Sequence, residues 1–330
     1  METVNRAAVP MEASRASSHP VLWWIGTFGG AFLGVVLLIA VWAKMLDPAS
    51  FAEQIRTEGL DFLIPAQAVA LIALALEAVL GLLLLLGVRR LWVLVPATLL
   101  VAFFVFLTGR TYWLAEHGLL EKSAGCGCFG NLVQRTPAQA FWQDLALLLP
   151  ALALAFLGRE RRAGFPRLRT AAAVLGAVAV AVFAWKAPEL PLDDMATLLR
   201  PGAAIAEMCV GGGEEGSVCL DSVARELTEG EHLVVMSNLD DPTLTAMIPA
   251  LNAYADQPGR SVVLLSSSPP EQHRAFFWQW GPSFEVHETP AELMRPLYRR
   301  LPRAFEVNGG RVTKTYAGLP PLAQTAQNHP

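Results

Sequence analysis

Long apolar runs broken by short polar stretches fill the first 190 residues, and beyond residue 200 the runs shorten and alternate with polar positions. A helix needs about 20 mostly apolar residues to cross a bilayer. Val21 to Val41, Ile64 to Gly87, Leu91 to Leu107 and Ala138 to Leu157 meet that requirement, and Ala171 to Trp185 is a shorter, alanine-rich fifth candidate. The pattern predicts a membrane all-α bundle of four helices plus a fifth. The polar segment Met1 to Pro20 reads as flexible. The run after it is too long for a signal core and lacks a small-residue cleavage site, so it reads as a first transmembrane helix.

Past Ala203 the period changes to that of an α/β domain. Strands are expected at Val218 to Leu220, His232 to Met236, Ser261 to Ser266 and Phe284 to His287, with helices at Leu244 to Ala255 and Pro270 to Trp280. Arg303 to Val307 and Arg311 to Tyr316 flank Asn308-Gly309-Gly310, a strong hairpin signal.

Composition agrees with the pattern. The chain is 53% hydrophobic and 16% charged, against about a quarter charged in a soluble domain. A net charge of −4 gives nucleic acid no reason to bind. Lys and Arg concentrate in the loops expected to be cytoplasmic: Arg89 and Arg90 in one, and Arg159, Arg161, Arg162, Arg167 and Arg169 in the other. The N-terminus is therefore expected in the cytoplasm, and the C-terminal domain outside an inner membrane, facing the periplasm.

On that topology Lys44, Asp47, Arg110 and Asp144 lie toward the outer helix ends, and Glu77 lies inside the bilayer. An intramembrane carboxylate is costly and calls for a partner in the bundle; a structural anchor, a proton relay and a quinone site are the readings open to it. For Lys44 and Arg110, snorkelling to the interface is as natural as function.

Candidate chemistry centres on Gly125-Cys126-Gly127-Cys128-Phe129-Gly130 in an outer loop. Two cysteines one residue apart can close a small, strained, oxidising disulfide. Glycine supplies the backbone freedom such a ring needs, and Lys44 or Arg110 could stabilise a thiolate. The alternatives are a structural disulfide with other cysteines, or a soft-metal site for which His117 is the only nearby further ligand. Cys209 and Cys219 flank a glycine-rich stretch and read as a structural disulfide or a second redox pair. His232, His273, His287 and His329 show no ligand spacing.

The membrane half resembles the MauE/DoxX family of redox-associated membrane proteins. The resemblance rests on Trp42-Ala43-Lys44-Met45-Leu46-Asp47-Pro48 with Phe51, on Leu76-Glu77 with Gly81, on Cys126-Gly127-Cys128-Phe129-Gly130, and on Asp144. It implies a four-helix bundle supporting disulfide formation or electron delivery for an extracytoplasmic partner. In methylamine utilisation that partner is the disulfide-rich small subunit of methylamine dehydrogenase.

The C-terminal part resembles the thioredoxin-like family, particularly its TlpA and MauD branch. There a strand leads into C-P-x-C, with a proline five residues after the second cysteine. Counting back from Pro249 places that motif on Asp241-Pro242-Thr243-Leu244, where neither cysteine position holds a thiol. Asp240 and Asp241 suit a helix start. Leu301-Pro302 corresponds to the family's cis-proline, whose face binds extended peptide.

The expected organisation is a flexible segment (1–20), a bundle (21–157), a basic loop (158–170), a fifth helix (171–186), a linker (187–202), a degenerate thioredoxin-like domain (203–320) and a tail (321–330). The expected function is thiol–disulfide redox chemistry at Cys126 and Cys128, supported by Lys44, Glu77, Arg110 and Asp144. Its partners would be an extracytoplasmic client or a thioredoxin-like redox protein, and the lipid bilayer. A membrane quinone is the candidate electron acceptor by analogy alone. Rival readings are a non-catalytic assembly factor and a subunit of a quinone-linked sulfur oxidoreductase.

Overall fold

The computed structural model describes residues 20–119, 135–160, 166–210 and 217–322. Cys126 and Cys128, together with the segment 1–19, lie outside the described residues. The chain opens with α1 (Pro20–Leu46), α2 (Pro48–Thr57), α3 (Ala66–Leu85), α4 (Leu91–Glu116), α5 (Pro137–Leu157) and α6 (Arg167–Lys186). All of these except α2 are long and apolar enough to cross a membrane.

Three departures from the sequence expectation have physical causes. Helix α4 continues past Leu107 because Thr108 and Thr111 return their hydroxyls to the Phe104 and Leu107 carbonyls, each at 3.0 Å, so polar residues remain satisfied inside an apolar helix. Helix α6 starts early, because Arg167 to Thr170 form its first turn. Helix α2 was not foreseen. It starts where the Asp47 carboxylate accepts from the Ser50 N–H at 3.1 Å and Pro48 takes the first helical position. It then buries Ala52 and Ile55 against α3.

The bundle closes on small residues. A Cβ on Gly34 would stand 2.7 Å from the Gly81 carbonyl oxygen, so the backbones of α1 and α3 touch, a packing mode suited to helices in lipid. Arg89 is buried between helices. Its Nε donates to the Gly158 carbonyl at 3.0 Å and its guanidinium to Thr27 Oγ1 at 2.7 Å, tying α1 to the end of α5. Outward-facing Phe28, Ile39, Leu99, Phe106, Leu175 and Val182 are exposed. An apolar surface this continuous requires lipid rather than water.

The C-terminal domain adds α7 (Asp193–Ala196), β1 (Cys209–Val210), β2 (Val218–Cys219), α8 (Leu220–Val223), β3 (Glu231–Met236), α9 (Pro242–Ala255), β4 (Val262–Ser266), α10 (Pro270–Trp280), β5 (Glu285–Glu288), α11 (Ala291–Met294), β6 (Arg303–Asn308) and β7 (Arg311–Tyr316). Five strands form one sheet in the order β5-β4-β3-β6-β7. Strands β3, β4 and β5 run parallel, while β6 and β7 close the sheet antiparallel.

Side chains alternate across the sheet. Leu233, Val235 and Leu264 face α9 and α10 through Leu244, Ile248, Leu251 and Phe276. Val234, Met236 and Val263 face Leu199, Ile205 and Leu293 on the other side. A central β-α-β unit followed by an antiparallel hairpin, entered through a cis Leu301–Pro302 bond, is a thioredoxin-like fold. Gly309 and Gly310 turn the hairpin with φ of 54° and 73°, a region L side chains avoid.

Candidate functional site

Glu77 sits in the middle of α3 and is fully buried. Its partner is Lys44, from the last turn of α1, whose Nζ donates to Oε1 at 2.7 Å. Lys44 is only 2% exposed, so it turns inward and does not snorkel to the surface. Its ammonium also lies 4.8 Å from the Phe51 ring centre and 4.9 Å from that of Phe104, a favourable cation–aromatic setting. Glu77 Oε2 has no hydrogen-bond partner among the described residues. The pair lines a cavity of about 510 Å³ between α2, α3 and α4.

Asp144 is buried near the start of α5 and accepts from Arg135 at 3.1 Å. It also feels the Lys44 charge, so the two acid–base pairs are electrostatic neighbours. Arg110, near the end of α4, pairs with Glu58 just after α2. Both cations that the sequence offered as thiolate partners are therefore engaged by carboxylates. Sequence reasoning missed Arg135 and Glu58, because nothing in their local pattern reveals a partner on another helix.

The C-terminal domain meets this same end of the bundle. The segment before α7 is not a loose linker. Arg299 donates to the Ala187 carbonyl at 2.8 Å, Arg300 donates to that of Pro188, and Arg303 reaches Asp194 at 3.1 Å. Helix α7 packs on the end of α1. There the Asp47 carboxyl experiences the charges of Arg299, Arg300 and Asp193, and the Tyr298 hydroxyl experiences Asp47.

Burial pushes the Asp47 carboxyl up from its ordinary value, and the Ser50 N–H, Arg299 and Arg300 only partly oppose this. A carboxyl raised in the folded state favours folding while protonated, so its contribution falls as pH rises upward from about 4. Asp47→Asn keeps the cap. It is expected to flatten the decline of stability between the ordinary carboxylate range and neutrality, as measured by thermal unfolding across pH.

In the thioredoxin-like domain, Asp241 caps α9 by accepting from the Thr243 N–H at 2.7 Å and the Leu244 N–H at 3.4 Å. Pro242 opens the helix and Leu244 is fully buried. Where the resemblance places two thiols, the chain thus holds a helix cap and a core side chain. Met236 lies opposite Arg303, so Pro302 stands at the sheet end from which α9 starts. Cys209 and Cys219 form a disulfide across directly facing positions of β1 and β2.

One cluster was not legible in sequence. His287 Nε2 lies 2.6 Å from Glu226 Oε1 and 3.3 Å from Glu285 Oε2. Glu226 is 61 residues away, too distant for spacing to suggest it. Half-exposed to exposed as they are, these groups read as a polar cluster on the surface.

Five spanning-length helices and a thioredoxin-like domain define a multi-pass membrane protein with a folded extramembrane part. Residues 22–157 match the family model "Methylamine utilisation protein MauE". No curated protein matches the chain. Seven solved chains match. They include a protein described as a thiol:disulfide interchange protein DsbE from Chlorobium tepidum, 19% identical, with 39% of this chain and 92% of that one covered and a TM-score of 0.31.

Proposed function

We propose that the protein is a membrane thiol–disulfide redox protein, in which Cys126 and Cys128 exchange electrons with an extracytoplasmic client or a thioredoxin-like partner. The N-terminus lies in the cytoplasm and the thioredoxin-like domain in the periplasm, as the Lys/Arg bias favours. One observation carries the reading. The described residues bracketing the cysteine loop, Leu119 after α4 and Arg135 before α5, belong to the bundle end on which the thioredoxin-like domain rests through Asp47, Arg299 and Arg300. That domain offers no thiol beside its cis-proline, so its role is to hold a client over the loop while the loop does the chemistry. The family description names methylamine utilisation, and the resemblance drawn from the sequence implies maturation of a disulfide-rich client of the methylamine dehydrogenase type.

Thiol states of the four cysteines, trapped in intact cells with a membrane-impermeant reagent and read by mass spectrometry, test this. Cys126 and Cys128 are expected to cycle when a mild reductant is added and withdrawn, while Cys209 and Cys219 stay bonded. Cys126→Ser and Cys128→Ser should each abolish client oxidation at unchanged abundance. A pair that never changes state would replace this reading with that of a non-catalytic assembly factor.

A further inference from the structure

We infer that the groove holding the Lys44–Glu77 pair binds a lipid-soluble quinone, and that this quinone takes the electrons of the cysteine pair; the second clause rests on the proposed redox function, the first does not.

Glu77 is fully buried, and one of its oxygens is satisfied by Lys44 while the other, Oε2, has no partner among the described residues. A buried polar atom left unpaired costs on the order of 1–3 kcal/mol. It persists where a ligand or water completes it. The walls argue against water alone, since Phe51, Phe104, Leu76 and Leu99 surround the pair. The mouth argues for a ligand from the bilayer, because Leu76, Leu99 and Phe103 are exposed on the lipid side of α3 and α4.

A volume of about 510 Å³ falls in the range of small-molecule sites. The occupant must therefore have an apolar tail and a flat head that bonds both an ammonium and a carboxylate oxygen. A lipid acyl chain satisfies neither group. A quinone ring fits: one carbonyl accepts from Lys44 and the ring lies against Phe104. In the hydroquinone a hydroxyl donates to Glu77 Oε2. The reduced form gains a bond that the oxidised form lacks, so the site favours reduction of what it holds.

The redox step balances on this acceptor. Two thiols at Cys126 and Cys128 lose two electrons and two protons and form one S–S bond. The quinone gains both electrons and both protons and becomes the hydroquinone.

The test uses the full chain in nanodiscs of quinone-free lipid, with an azide-bearing quinone as photoprobe and peptide mapping by mass spectrometry. An alkyl azide of equal length is the control. The expected result is quinone-specific labelling on α3 and α4 that falls at least tenfold in Lys44→Met/Glu77→Leu, and also in Ala73→Phe, which fills the groove and leaves the pair intact. Labelling no stronger than the alkyl control, or labelling untouched in both variants, overturns the inference. Thiol mapping of the unmodified chain in the same nanodiscs, with quinone added, separates the two claims. Cys126 and Cys128 are expected to become oxidised, and a groove that takes the photoprobe while both thiols stay reduced would sink the redox reading and leave the binding site standing.

Discussion

Glu77→Leu is expected to lower the stability of the bundle by about 3–5 kcal/mol, the range for orphaning one member of a buried ion pair. The change removes the carboxylate that receives the Lys44 ammonium at 2.7 Å and leaves a cation 2% exposed. The loss has a ceiling, because an orphaned amine can release its proton and an orphaned carboxyl can take one up. From ordinary pKa values these cost about 4.6 and 3.7 kcal/mol respectively at pH 7. Lys44→Met should therefore be somewhat milder than Glu77→Leu. The rings of Phe51 and Phe104 offset part of the cost for an orphaned ammonium, which narrows the gap. The double variant Lys44→Met/Glu77→Leu removes both charges and both desolvation costs, and it should recover most of the loss. Reversible unfolding in mixed micelles measures all three. If each single variant costs under 1 kcal/mol, the pair is water-filled, and the reading of it as the buried centre of the bundle is wrong.

The parts that the sequence made legible are those set by local period. Spanning helices announce themselves by uninterrupted apolar length, and the strands flanking Gly309 and Gly310 by alternation and turn chemistry. The cap at Asp241 follows from residue type at a helix start. Cys209 and Cys219 could be paired because the chain between them is short and rich in glycine. What stayed hidden depends on contacts between distant elements. Lys44 and Glu77 were each noticed singly, but their pairing depends on how α1 crosses α3 at Gly34 and Gly81. Helix α2 was missed because its apolar face spans barely three turns, below the length that periodicity resolves. The stretch from Lys186 to Pro201 read as a linker because proline and acid look like solvent exposure; its carbonyls and Asp194 are in fact the counterpart of an arginine row 110 or so residues later.

That arginine row makes the second large prediction. Arg303 is fully buried at the start of β6. It donates to Thr197 Oγ1 and the Leu297 carbonyl at 2.7 Å each, to Asp194 at 3.1 Å and to the Leu199 carbonyl at 3.2 Å. Burial pushes its guanidinium down from the ordinary value, and Asp193 and Asp194 oppose that shift. Arg303→Met leaves the Leu297 carbonyl unpaired, which costs on the order of 1–3 kcal/mol, and takes a bond worth about 1 kcal/mol each from Thr197 Oγ1 and the Leu199 carbonyl, which keep each other at 3.2 Å, so the thioredoxin-like domain should lose about 3–5 kcal/mol. The acid partner contributes little of this, because Asp194 is nearly half exposed and can rehydrate; Asp194→Ala should cost under about 1 kcal/mol. The larger consequence is positional. Thr197 and Leu199 belong to the segment that joins α6 to the domain, so releasing them frees the domain from the end of α1. Hydrogen exchange across residues 187–200 of the full chain in nanodiscs should rise sharply in Arg303→Met and hardly at all in Asp194→Ala. Exchange unchanged in both would mean that Arg299 and Arg300 hold the domain in place by themselves. Under the proposed redox function, client oxidation should then survive the loss of Arg303.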